Sequence, residues 1–290
     1  MHEYKLPKIK KVIIDPKIIE RLKVENDFTK LSLDIMIEVG SYICVVANIF
    51  PAKTKAWDLN WAIVGGHLVR LYKLISAMLD QTCQRKREIS FIFSRLAFEC
   101  IINLRYLIKH ESDELFKSYR KYSLQHEYKL YKKISENIKK RSGKELDIER
   151  RILDSIIKSF QVSGISIDEI KSSKLKNWGG KNIFEKASDL ELEDAYLAAF
   201  GGGSHNIHGN WQDLLEYHLE ETENGYFTPV FDWHKPKPEM LNVIALYSTE
   251  TVIECLNWIN EESIKDMEVE LIDLKKRILL LDNLHERFLS

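Results

Sequence analysis

No proline occurs between Pro51 and Pro229, and the whole chain of 290 residues holds only six. A proline inside a helix removes a backbone hydrogen bond and clashes with the preceding turn, so this interval is open to long helices. Apolar residues recur through it at three- and four-residue spacing. Leu68, Leu71, Leu74, Ile75, Met78 and Leu79 mark one face of a helix over 59–81. The same spacing predicts helices over 17–50, 88–110, 112–141, 145–162, 185–200, 210–222, 239–262 and 263–288. Strand signals are confined to Val12-Ile13-Ile14 and to Tyr226–Phe231, an edge segment or hairpin arm. The fold class is therefore all-α: a multi-helix bundle with at most a small peripheral hairpin. Its organisation reads as an N-terminal helical segment, 1–58, packed on a helical core domain, 59–262, followed by a C-terminal amphipathic helix, 263–290.

Composition removes several classes of function. The 43 Lys and Arg nearly balance the 44 Asp and Glu, which argues against a pervasive basic field for duplex DNA and leaves room for a local basic patch. Cys44, Cys83, Cys100 and Cys255 are far apart, with no CxxC pair, and read as reduced thiols outside any zinc site or disulfide frame. The start, Met1-His2-Glu3-Tyr4-Lys5, lacks the apolar stretch of a signal peptide. The longest apolar runs, such as Ile35–Phe50, are broken by Glu38 and Gly40, so no membrane span is expected and the default compartment is the cytoplasm.

Polar residues stand out where this pattern calls for core. Gly201-Gly202-Gly203-Ser204-His205-Asn206-Ile207-His208-Gly209 sets four of the twelve glycines around two histidines. Glycine inside a helix costs about 1 kcal/mol against alanine, so something besides helix propensity shapes this run. Arg95, Glu99 and Asn103 follow one another at i, i+4 and i+8 on the most apolar helix, forming a polar stripe among Phe91, Phe93, Phe98, Ile101 and Ile102. A buried charge must find partners. The stripe is thus either a structural Arg–Glu pair tying helices together or one wall of a polar cleft facing the glycine-histidine run. His205 and His208, three apart, could share a metal ion with Glu99 or Asp213, or could cap a helix; no metal signature accompanies them, and no metal or cofactor is expected.

Taken in order, several features resemble the domain of unknown function family 5677: Arg70, Arg95-x-x-x-Glu99, Tyr119-Arg120-Lys121-Tyr122, Trp178, the stretch from Ala187 to Tyr196, and Ser204-x-x-x-His208-Gly209. The resemblance covers roughly 60–262 and implies a helical bundle. The family is in turn similar to HEPN-type helical domains, many of which cleave RNA in toxin or phage-defence systems and complete their sites across a dimer. A HEPN site reads Arg-polar-x-x-x-His before a small residue. Aligned here, Ser204, His208 and Gly209 match, while Gly203 occupies the arginine position, so Arg95 or Arg70 would have to supply the charge. Arg105 and His110 also match R-x4-H literally, though residues five apart diverge by about 140° on a helix of 3.6 residues per turn.

Two functions follow as expectations. The first is a cytoplasmic, homodimeric HEPN-like effector that cleaves RNA without metal. In it His208, with His205, does acid–base work, Arg95 offsets phosphate charge, and Ser204 and Glu99 complete the site. The second is a non-catalytic helical module binding a protein, nucleic acid or small ligand, in which the same cluster is a buried network. For that module Trp211, Trp233, Tyr226, Phe227 and Phe231 form a candidate contact surface, against the more usual place of such aromatics in a core.

Overall fold

The computed structural model describes residues 8–49, 56–171, 175–200, 209–260 and 265–290, with side chains given to residue 198 in the third span. Four long helices close a ring. They are α2 (Glu25–Ala47), α3 (Leu59–Cys83), α4 (Arg87–Lys109) and α11 (Pro238–Ile259), and each packs on the next, with α11 returning to α2. The last helix, α12 (Lys265–Leu289), lies along α11 and α2. Ile35, Ile43, Leu71, Phe98, Ile101, Ile102, Leu104, Ile244, Leu271 and Leu274 fill the centre and are all sealed from solvent. Burying such side chains contributes about 1.5–3 kcal/mol each. The apolar centre is one contiguous cluster that draws on 1–58, 59–262 and 263–290 alike.

Local chemistry sets the helix limits. Asp58 accepts a hydrogen bond from Trp61 N at 2.8 Å and starts α3, and Ser112 does the same for Leu115 N at 3.2 Å at the start of α5 (Asp113–Lys140). Asp113 and Glu114 in its first turn and Lys139 and Lys140 in its last complement the helix dipole. Gly164, left-handed at φ 62°, ends α6 (Asp147–Ser163). With α7 (Ile167–Lys171), α5 and α6 form an arm around a separate small core of Leu124, Ile156, Phe160, Ile165 and Ile170. By length and composition α3 alone among the described residues could cross a membrane, at a mean hydropathy of 1.3. Here its Val64, Leu68, Leu71, Ile75 and Met78 are buried inside the bundle.

Three departures from the sequence pattern have clear causes. Val12–Ile14 joins no strand, because Glu38 accepts from Val12 N at 2.8 Å and Arg277 donates to Val12 O at 2.7 Å. Glu38 and Arg277 also pair with each other at 2.6 Å, so side chains of α2 and α12 satisfy the backbone that a neighbouring strand would. The helix expected over 185–200 divides at Glu191, whose φ is 59°. It becomes α8 (Ile183–Asp189) and α9 (Glu193–Ala195), which continues as a π turn, Tyr196–Phe200. The helix expected over 210–222 shortens to α10 (Trp211–Asp213) and a second π turn, Leu214–His218. There the chain enters a hairpin of β1 (Leu219–Glu221) and β2 (Phe227–Pro229), antiparallel with Glu220 opposite Thr228. A short α1 (Pro16–Ile19) precedes the bundle.

Candidate functional site

The polar stripe of α4 faces α8 and the π turn Tyr196–Phe200. Arg95, Glu99 and Asn103 are half-buried. Tyr196 is close enough to feel both charges: burial raises its phenol, Arg95 lowers it and Glu99 raises it. The stripe therefore meets the segment that leads directly into residue 201. Ser204, His205 and His208 lie outside the described residues. The run they occupy is bracketed by the two π turns, a helical form that widens the backbone and re-aims side chains.

Lys186 on α8 completes this corner and was not among the residues singled out by the sequence pattern. The residue is 2% exposed, and its ammonium makes no hydrogen bond or ion pair among the described residues. The ammonium instead sits 3.1 Å from the centre of the Trp178 ring and 5.5 Å from that of Tyr106. A cation on a desolvated aromatic face gains about 2 kcal/mol or more, less than an ammonium loses on leaving water. Burial accordingly pulls the Lys186 amine down to about 7, with the Glu99 carboxylate drawing it back up. Near neutrality the amine takes up or gives up a proton readily, and an arriving anion would hold it charged. A sequence signal did exist: Ile183, Lys186, Ala187 and Leu190 share the i, i+3, i+4, i+7 stripe of an inward face.

Aromatic rings hold the amine in place. Trp178 belongs to a single 3-10 turn, Trp178–Gly180, and is packed edge-on by Tyr106 at 5.5 Å and Tyr119 at 5.2 Å. Gly179 must be glycine there: its φ is 63°, and a Cβ would stand 2.8 Å from Leu115 Cδ1. Its amide donates to Ser118 Oγ at 3.1 Å. Behind Tyr119, the His67 ring meets Cys100 Sγ at 3.5 Å. Burial, then Arg70, lowers His67 to about 4, while burial raises the Cys100 thiol to about 12. A neutral imidazole beside a protonated thiol is packing, not an activated nucleophile.

Other candidates separate. Arg105 reaches across to α11, to Glu254 at 2.6 Å and Glu250 at 3.3 Å. His110 faces Asp189 at the end of α8, 3.1 Å away. The literal R-x4-H match thus splits into two structural contacts aimed at different helices. Asp213 is buried and lies 3.5 Å from His218. The five aromatics weighed as a contact surface against a place in the core are exposed: Trp211, Tyr226, Phe227, Phe231 and Trp233, with Phe231 at 89%. Trp211 and Phe227 meet edge-on at 5.6 Å, so these rings gather at the hairpin just after the glycine-histidine run. The arm, 113–171, carries 14 Lys and Arg against 10 Asp and Glu, with the excess concentrated in the middle and end of α5. Residues 117–144 carry ten Lys and Arg against Glu127 and Glu136, and Lys129, Lys133, Lys139 and Lys140 form no ion pair among the described residues.

Fold and site together define an all-α bundle with a half-buried polar corner, an aromatic-held lysine and a basic arm. The chain belongs to a family of unknown function (DUF5677), which matches residues 62–226. That span runs from α3 to the hairpin and holds the whole corner, ending well before the residue 262 expected from the sequence. No curated protein and no solved structure matches the chain.

Proposed function

We propose that this protein is a HEPN-like effector that cleaves RNA without metal, working as a cytoplasmic homodimer. The observation that supports this most is Lys186, a buried cation seated on the Trp178 and Tyr106 rings and within the field of the Glu99 carboxylate. A lysine ammonium and an arginine guanidinium are the groups that offset charge developing on a phosphate. In this reading His208 takes the proton from a ribose 2′-hydroxyl, the 2′-oxygen forms a bond to phosphorus, and the bond from phosphorus to the 5′-oxygen breaks. His205 returns a proton to that leaving oxygen. Arg95 and Lys186 offset the charge on the non-bridging oxygens, Glu99 orients the cations, and Ser204 hydrogen-bonds the phosphate. Arg95 thereby replaces the arginine missing at Gly203. The test is cleavage of single-stranded RNA in EDTA by wild type and His208→Ala. Loss of cleavage at an unchanged melting temperature is expected, and a stable variant with wild-type cleavage would overturn the assignment.

A second reading, a non-catalytic binding module, is favoured by one observation: the exposed aromatic cluster at the hairpin. Aromatic residues are enriched in binding surfaces. On that reading neither variant nor wild type hydrolyses RNA, and His208→Ala lowers stability because it breaks a packed network.

A further inference from the structure

Outside this corner, the seam between α2, α11 and α12 holds a cluster of ligand-type side chains. Glu25 lies in the first turn of α2, Glu239 in the first turn of α11, and His285 near the end of α12. One ligand atom from each lies within 4.8 Å of the other two. His285 is 0% exposed, yet neither ring nitrogen has a hydrogen-bond partner. Its Nε2 stands 3.5 Å from Glu25 Oε1 without closing into a hydrogen bond. Glu239 Oε2 is likewise buried without a partner.

Sealed polar atoms in a native core are nearly always satisfied, and each one left bare costs about 1–3 kcal/mol. Here three such atoms, two imidazole nitrogens and a carboxylate oxygen, gather in one place. Next along the same seam, Ser32 donates to Asn242 Oδ1 at 2.7 Å and Asn242 donates to Asp282 Oδ1 at 3.1 Å. That neighbouring layer is hydrogen-bonded, so the seam has the means to satisfy polar groups and uses them right beside His285. The ring cannot swing away to solve the problem. Phe28 tilts against it at 5.1 Å and Phe288 stacks on it at 21°.

We infer that Glu25, Glu239 and His285 bind one divalent metal ion of the zinc class, a structural staple joining α12 to the first turns of α2 and α11. One imidazole nitrogen and two carboxylate oxygens form a borderline donor set suited to zinc, whereas magnesium and calcium sites are built from oxygen alone. Two donors each about 2.0–2.2 Å from a tetrahedral zinc stand roughly 3.3–3.6 Å apart, which is the separation His285 and Glu25 already show. Glu239 offers a third ligand atom within 4.8 Å of both. Glu25 is 36% exposed, which gives the ion a route in and a place for a water as fourth ligand. The ion would neutralise two carboxylates that otherwise repel across the seam. All three residues lie outside the span matched by the family, and the inference is independent of the RNA reading.

The full-length chain, stripped with a chelator, is titrated with zinc chloride and, separately, with cobalt chloride. One equivalent of zinc should bind and raise the melting temperature, and cobalt should show the visible d–d bands of a four-coordinate site. Glu25→Gln and Glu239→Gln keep side-chain shape and should weaken zinc binding at least 10-fold, while the control His126→Gln, on an exposed residue of α5, should change nothing. His285→Gln tests the third ligand, and if it fails to fold the two glutamine variants carry the result. Absence of stoichiometric zinc in wild type, or unchanged affinity in both glutamate variants, would overturn the site.

Discussion

Lys186 is the residue on which the chemistry of the corner turns, and its environment makes a signed prediction about pH. Its usual value is 10.5 and in the fold it is about 7, so between those pH values the unfolded chain binds more protons. Stability contributed through this group therefore rises as pH climbs from 7 toward 10.5, and its penalty is felt in full below 7. Lys186→Met keeps an unbranched side chain one atom shorter, able to pack toward Trp178, while removing the charge. Urea denaturation should find this variant more stable than wild type below pH 7, with the gap closing toward pH 10.5. An unchanged gap across that window would mean the amine is not desolvated. Arg95 and Glu99 were legible in the sequence because polar residues interrupt an apolar helix. Lys186 carried only the signal of its place on the inward stripe of α8, against a charged stretch that reads as surface, and the aromatic seat of Trp178, nearby in sequence, and Tyr106, far from it on α4, makes burial tolerable.

At the scale of elements, periodicity marked the long helices well, since α3, α4, α5 and α11 each bury a regular stripe. It failed where tertiary pairing overrode local preference. Leu219-Glu220-Glu221 continues a helical pattern by composition, yet its backbone pairs with Phe227–Pro229 across a turn. On the proposed RNA reading, the exposed rings around that hairpin would stack on bases, and Lys129, Lys133, Lys139 and Lys140 of α5, which form no ion pair among the described residues, would meet phosphates. Replacing Phe231, 89% exposed, by alanine should weaken RNA binding by about 1–3 kcal/mol per stacked base and leave stability within about 0.5 kcal/mol. Changing Lys129, Lys133 and Lys140 to glutamine should flatten the salt dependence by about 0.7 in log–log slope for each phosphate no longer neutralised. Fluorescence anisotropy across a salt series reads both effects. A slope untouched by the lysine changes would remove α5 from the interface, and full RNA affinity in the Phe231 variant would point the aromatics toward a protein partner.

The whole molecule is a ring of four helices with α12 laid over one seam and a basic arm projecting from it. Its class was written in the absence of proline and the regular apolar spacing. The assignment of polar residues to seams was not, since Arg277 and His285 sit on a helix whose charges suggest a solvated surface. Arg277 is buried where Glu38 and Val12 meet it, and His285 where Phe28 and Phe288 pack against its ring. In the corner beside α4 a lysine held inside on aromatic rings is the basis for the proposed chemistry. Single-turnover cleavage of end-labelled single-stranded RNA in EDTA by wild type and Lys186→Met tests it most directly. Wild type should cleave, and the variant should be slower by about 100-fold or more, the scale of removing one preorganised charge contact, with no loss of thermal stability. Cleavage at the wild-type rate by Lys186→Met, or none by wild type, would rule out the corner as the reacting site.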